Sequence, residues 1–189
     1  MQAGFRLVAE VGFEGLRLRQ VAEDVGIDHS TLHHHFATKQ DLVAAIAAYT
    51  VSQFWFTAQE DGDPVVRLRS HFDALARLLR EHPDLFTVTV ELDLRARRDP
   101  TVRAAMVEHE AGWRQVLVRT LAEGLAGGTL NREIDPVATA ELIIATVKGA
   151  RLVPGRADVI FDQLFALILG CPLSDDRPPN EETSEKRTS

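Results

Sequence analysis

Cysteine is nearly absent from this 189-residue chain. Cys171 stands alone, which excludes an intrachain disulfide and fits a reducing compartment, the cytoplasm. Long hydrophobic runs are missing as well. The longest candidate, residues 164–171, falls far short of the roughly 18 apolar residues that a membrane-spanning helix needs. The N-terminus carries no apolar core of signal-peptide length, so neither secretion nor a membrane partner is expected. There is no glycine-rich phosphate loop and no nucleophile motif. Ser30 and His34 are four apart on one helix face, but no third group completes a triad. The chain therefore reads as no enzyme, with no catalytic residues and no cofactor. Positive charge is also in short supply, with 21 Lys and Arg against 28 Asp and Glu and a net charge of −7. That argues against an extended polybasic surface for nucleic acid or anionic lipid, while leaving room for a small local binding face.

What is present is helical punctuation. Asp63-Pro64, Asp99-Pro100 and Asp135-Pro136 each set an N-cap acceptor before a proline at the first helical position, where the missing amide hydrogen costs nothing. Their equal spacing is not a repeat, because the segments between them share no other pattern. Gly127-Gly128 and Pro154-Gly155 read as helix stops. Apolar residues recur at three and four. Val102, Met106, His109, Trp113 and Leu117 form a stripe on a helix of about residues 100–126. Leu68, Phe72, Leu75 and Leu79 form another over about 64–80. Residues 137–153 and 157–169 are apolar over more than one face, as expected of helices that are central or buried against a second subunit. From Ser174 the chain is polar and is expected to be a disordered tail. One segment resists. Phe86, Val88, Val90, Leu92 and Leu94 alternate like a strand. A lone strand has no partner for its backbone groups, so the segment is read as helix.

The most informative stretch is DHSTLHHHF, residues 28–36, which holds four of the seven histidines. His29 and His33 are four apart and would share a helical face, a spacing that suits two zinc ligands. Further ligands are offered only by Asp28 and by His34 and His35, which point differently, so no metal site is assigned. A merely solvated helical hairpin is the plainer alternative. The surroundings favour something more specific. Leu18, Val21, Ala22 and Val25 line one side of a short helix, and Gly26 follows where positive φ is often needed. A second short helix then begins at Asp28 or His29, with Leu32 and Phe36 on its inner face. Thr38 and Asp41 form a capping pair that starts the next helix at Lys39. Two short helices on a tight glycine turn make a helix-turn-helix, whose second helix enters the DNA major groove.

The run GFEGLRLRQVAEDVGIDHSTLHHHFATKQDLVAAI resembles the N-terminal domain of the tetracycline-repressor (TetR) family of bacterial transcriptional regulators. Gly26-Ile27, Thr31-Leu32-His33, Phe36 and Thr38-Lys39 carry the likeness. HPDLFTVTVELDLRARRDP also looks like a helical stretch common in such proteins. The resemblance implies an all-α chain of about nine helices: a three-helix head (1–48), a ligand-binding and dimerisation body (49–173) and the tail (174–189). It places Arg19, His29, Ser30 and His33 at base edges, and Thr31, His35 and Lys39 at phosphates. An Arg19–guanine pair would supply roughly 1–3 kcal/mol of discrimination. His33 replaces a usual Tyr, and Leu18 stands where a hydroxyl often meets phosphate. Met1 falls inside the family's first helix, so a preceding basic arm is not expected. Residues 1–50 hold four Lys or Arg against six Asp or Glu, so affinity should be modest per subunit and lean on dimerisation.

The resemblance further implies a pocket for a small, partly apolar ligand, lined by Trp55, Phe56, Phe72, Phe86, Trp113 and Leu117. His109 is either a core histidine or a polar anchor there, and Glu91 is a weaker candidate. It implies a homodimer through Leu142, Ile143, Val147, Ile160, Leu164, Phe165 and Ile168. The expected function is a ligand-responsive regulator, a repressor that binds a palindromic double-stranded operator and is released by a small molecule. The alternative is a ligand-binding helical dimer that has lost DNA binding.

Overall fold

The structure, a computed structural model, describes residues 1–54 and 62–170. Among the described residues it is all helical: α1 (Gln2–Gly15), α2 (Leu18–Asp24), α3 (His29–His35), α4 (Lys39–Ser52), α5 (Pro64–Glu81), α6 (Pro83–Ala96), α7 (Pro100–Ala126), α8 (Pro136–Ala150) and α9 (Ala157–Leu169). A single 3-10 turn, Pro154–Arg156, joins the last two. Trp55, Phe56 and the tail lie outside the described residues.

The caps behave as their chemistry requires. Asp63 accepts from the amides of Val65 and Val66, Asp99 from Thr101 and Val102, and Asp135 from Ala138. Each launches a helix with proline in its first turn. Thr38 and Asp41 close a reciprocal capping box at α4. The Asp41 amide donates to Thr38 Oγ1 at 3.1 Å, and the Thr38 amide donates to Asp41 Oδ2 at 2.9 Å.

The alternating segment is helical and lies within α6. Leu85, Val88, Thr89 and Leu92 face inward at helical spacing, whereas Leu94 is exposed, so the strand-like alternation has no bearing on the fold. Its threonines satisfy their hydroxyls locally. Thr87 and Thr89 donate to the carbonyls of Pro83 and Leu85, four residues back.

Two apolar cores result. One joins α5–α9 around Phe72, Leu79, Leu121 and Ile143. The other joins α1–α4 and also takes in Val88, Leu92 and Val102 from α6 and α7. The head thus packs directly on the body, with no clean seam where α4 passes residue 48.

Ile143, Val147, Leu164 and Ile168 are buried in the protomer's own core, which corrects their assignment to a subunit interface. A side chain packed inside one copy has nothing left to offer a second. Leu142 is outward at 52% exposure, and Ile160 and Phe165 are half-buried. Val137, Val159 and Leu167 are exposed on the same pair of helices.

The expected pocket residues divide in a similar way. Phe72, Phe86 and Leu117 fill the body's core rather than line an open space. Phe72 stacks on Phe161 at 5.7 Å, and Phe86 meets Phe54 edge-on at 5.7 Å. Trp113 and His109 are half-buried. The cavity beside Trp113, shared with Arg67, Leu68, His71, Val116, Leu117 and Thr120, measures about 10 Å³.

Candidate nucleic-acid interface

α2 and α3 are held by a small set of contacts. Val21, Ala22 and Leu32 point into the head core with Leu42 and Ile46, and Phe36 packs against it. Between the two helices the Gly26 amide donates to Glu23 O, and the Ile27 amide to Ala22 O. Gly26 takes φ +69°, a left-handed conformation that glycine adopts without steric cost. With Leu32 fixed inward, the rest of α3 must face outward. Ser30, Thr31, His33, His34 and His35 are all exposed. The side chain of His29 lies outside the described residues.

Arg19 is exposed on α2, its Nε 3.0 Å from Glu23 Oε1. Exposed pairs of this kind contribute little, about 0–1 kcal/mol, so a guanine edge can compete with Glu23 for it. Lys39 departs from expectation. Its ammonium turns inward and donates to the Phe13 carbonyl at 2.9 Å, tying α4 to the end of α1. Burial chiefly, then the charges of Arg17 and Arg95, lower its pKa, with Glu14 opposing.

Beneath this face lies a joint that the residue pattern did not announce. Asp99 caps α7 with one carboxylate oxygen, while its other oxygen accepts from Gln40 Nε2 at 2.5 Å and from Arg95 Nε at 3.0 Å. Arg95 also donates to Gln40 Oε1 at 3.3 Å and lies 5.2 Å from the centre of the Phe13 ring. The first turn of α4, which follows α3 directly, is therefore bonded to the α6–α7 corner of the body. The Asp-Pro signal revealed the cap and said nothing of the second oxygen. A cleft of about 690 Å³ opens beside the joint, among Glu14, Glu91, Arg97 and Arg98. Gly12, which interrupts α1 with φ +67°, lies against Glu91 there.

A second polar group joins three helices of the body. Arg151 Nη1 donates to Asp93 Oδ2 at 3.0 Å, and Glu110 accepts from both Arg114 and Lys148. Glu110 is held below the usual carboxylate range. Burial pushes it up, but the hydrogen bonds and charges of Lys148 and Arg114 prevail. Among the described residues no cluster of His, Cys, Asp and Glu is placed to hold a metal ion. No helix there is long and apolar enough to cross a membrane.

Comparison with known proteins settles what the head is. Residues 1–46 match the family described as bacterial regulatory proteins, tetR family, and residues 64–157 match the C-terminal part of BetI-type transcriptional repressors. The chain belongs to the TetR family. It is accordingly a transcriptional regulator by family, not an enzyme. It is 25% identical over 174 residues to the HTH-type transcriptional repressor AcnR of Corynebacterium efficiens, covering 89% of this chain and 87% of that protein. A transcriptional regulator from Rhodococcus sp. Rha1 superposes with a TM-score of 0.75 at 26% identity, over 89% of this chain and 93% of the other. AibR, solved in complex with isovaleryl coenzyme A and operator DNA, superposes with a TM-score of 0.70 at 22% identity, over 88% and 94%. At that identity the likeness to AibR is one of fold. The TetR head and body thus both have counterparts in this chain.

Proposed function

We propose that this TetR-family protein is a cytoplasmic, ligand-responsive repressor that binds a palindromic double-stranded operator as a homodimer and is released by a small, partly apolar molecule. The observation that carries the reading is the α2–α3 unit. Buried Leu32 leaves Ser30, Thr31, His33 and His35 on one outward face, with Arg19 beside them. Arg19, Ser30, His29 and His33 would read base edges, and Thr31, His35 and Lys39 would meet phosphates, Lys39 only after leaving the Phe13 carbonyl. Two copies would pair through the outer faces of α8 and α9, where Leu142, Val159 and Leu167 are exposed, with Ile160 and Phe165 at the margin. A two-fold axis there sets two recognition helices toward successive major grooves, roughly 34 Å apart.

Release follows from the joint. Gln40, Asp99 and Arg95 couple the start of α4 to the body, so a ligand that favours one arrangement of α6 and α7 shifts the spacing of the two α3 helices. Linkage is reciprocal, so operator must weaken ligand by the same factor.

A second reading, a ligand-binding dimer without DNA affinity, draws on the acidic head, the Arg19–Glu23 pair and the inward Lys39. Selection of genomic fragments by the full chain, at roughly 0.15 M salt, separates the two. A palindrome recovered by the wild type but not by Arg19→Ala supports the repressor. Recovery of no common sequence supports the second reading.

A further inference from the structure

Residues 95–103, RARRDPTVR, hold four arginines against one aspartate, in a chain whose net charge is −7. Arg95 and Asp99 are committed to each other and to Gln40. The other three cations are not. Arg97 and Arg98 are exposed, and neither meets a carboxylate among the described residues. Arg103, also exposed, reaches back over the end of α6, where its Nε donates to the Ala96 carbonyl at 2.8 Å and its Nη2 to the Arg97 carbonyl at 3.0 Å. Those carbonyls orient the side chain and leave its charge uncompensated. Elsewhere on the body the pattern is different, since Arg69, Arg80, Arg114 and Arg151 each pair with a carboxylate.

The uncompensated charge faces the head. Arg97 and Arg98 line the cleft of about 690 Å³ together with Phe13, Glu14 and Gln40. α4 starts at this place, directly after the turn from α3, and Lys39 is tied there to the Phe13 carbonyl. Arg17 stands at the same end of α1. It is exposed and donates to the backbone carbonyls of Glu14 and Leu16 at 2.5 and 3.3 Å. Arg17, Lys39, Arg97, Arg98 and Arg103 thus gather where α1, α4 and the α6–α7 corner meet, against the carboxylates of Glu14, Glu91 and Asp41. Residues 1–50 by themselves carry six acidic groups against four Lys or Arg. Neutralised phosphates supply most of the affinity of a protein for duplex DNA, so a head of that charge gains most from cations next to it.

We infer that the α6–α7 corner is a second DNA-contacting surface, on which Arg97 and Arg98 of the body hold backbone phosphates beside those met from α2–α3, with Arg103 and Arg17 adding charge. The inference rests on the reading of α2–α3 as a DNA-binding face and extends that face from the head to the body. Its grounds are charge complementarity and continuity with the α3–α4 turn. Phosphate contacts position a protein without reading sequence, so the corner contributes affinity and leaves the choice of site to α3.

The test titrates the full chain onto a selected palindromic duplex and a scrambled duplex, across a range of salt. Each phosphate contact steepens the fall of log affinity with log salt by about 0.9. The paired substitution Arg97→Ala with Arg98→Ala should therefore flatten the slope by about 1.8 and weaken binding roughly tenfold or more at about 0.15 M salt. The loss should be the same on both duplexes, whereas Arg19→Ala acts mainly on the palindrome. Arg97→Lys with Arg98→Lys keeps both charges and should keep most of the slope. Arg132→Ala removes an exposed arginine beyond the far end of α7, ~40 Å along that helix, and should leave the slope unchanged. Thermal melting checks each fold, and if the alanine pair does not fold, the single variants Arg97→Gln and Arg98→Gln should each flatten the slope by about 0.9. A wild-type slope in the folded variants, with palindrome binding still lost in Arg19→Ala, overturns the corner and leaves the repressor standing. A loss confined to the palindrome also overturns it, because a phosphate contact is blind to sequence. A change of oligomeric state by light scattering would make this face a contact between copies instead. Wild-type protein that binds neither duplex takes the repressor reading down together with the corner.

Discussion

Replacing Asp99 by alanine removes three things at once: the cap on α7, the acceptor for Gln40 and the ion-pair partner of Arg95. Loss of an N-cap acceptor costs about 1 kcal/mol. Loss of a hydrogen bond to a charged group costs about 1.5–3 kcal/mol, reduced here because Arg95 keeps partial access to water. The three share one carboxylate and do not add, so Asp99→Ala should destabilise by about 2–4 kcal/mol. Asp99→Asn keeps one oxygen for the cap but sets an amide NH2 against the Gln40 and Arg95 donors, so it loses the joint and keeps the cap, at about 1.5–3 kcal/mol. Urea titration of both variants measures the gap.

The acid side of the stability curve supplies a second reading. Burial pushes the Asp99 carboxyl up, but hydrogen bonds from Gln40, the Val102 amide and Arg95, with the Arg95 charge, hold it below its ordinary value. A depressed folded pKa stabilises the protein above the unfolded value, about 3.9. That contribution is lost as pH falls through the folded value. Asp99→Asn should flatten this part of the curve. An asparagine variant with the urea midpoint of the wild type, or an acid limb that it leaves unmoved, would refute the joint.

Three other outcomes are expected. Gly12→Ala should lower stability by roughly 1–2 kcal/mol, because its φ is +67° and a Cβ would lie 3.2 Å from Glu91 Oε2. Gly112→Ala, in open space within α7, should raise it by about 0.4–1 kcal/mol, and thermal melts of the pair give the comparison. Leu142→Asp should convert the proposed dimer to monomer by light scattering, whereas Ile143→Ala should leave the oligomeric state as it is and lose about 2–5 kcal/mol of stability. Phe72→Ala, stripped of its stack on Phe161, should cost about 3–5 kcal/mol in a urea titration.

The helices were legible where punctuation and periodicity agreed. Asp99-Pro100 and Gly127 bracket α7, and Thr38 with Asp41 starts α4 at Lys39. The end of α8 was not. The apolar run continues to Val153, but the helix stops at Ala150, since a residue before proline disfavours helical ψ and a turn is needed ahead of Pro154. The outward face of α3 could be read from Leu32 and Phe36, because two inward anchors four apart fix where the remaining residues point. The directions of Lys39 and Arg95 could not. A flexible cation finds its acceptor through the tertiary fold, and the Phe13 carbonyl is 26 residues away. The interface was misjudged for a similar reason. A helix apolar on two faces does not say which face turns to its own core, and α8 gives Ile143 and Val147 to that core and Leu142 to the outside.

The most direct test of the central claim is a titration of the full chain onto a selected palindromic duplex and a scrambled control, across a range of salt. Wild type should bind the palindrome far more tightly than the control, with affinity falling as salt rises through counterion release. Arg19→Ala should weaken binding mainly on the palindrome, by roughly 1–3 kcal/mol. Equal affinity for palindrome and control, or an Arg19→Ala variant that binds as the wild type does, would contradict the claim that this α2–α3 face reads DNA.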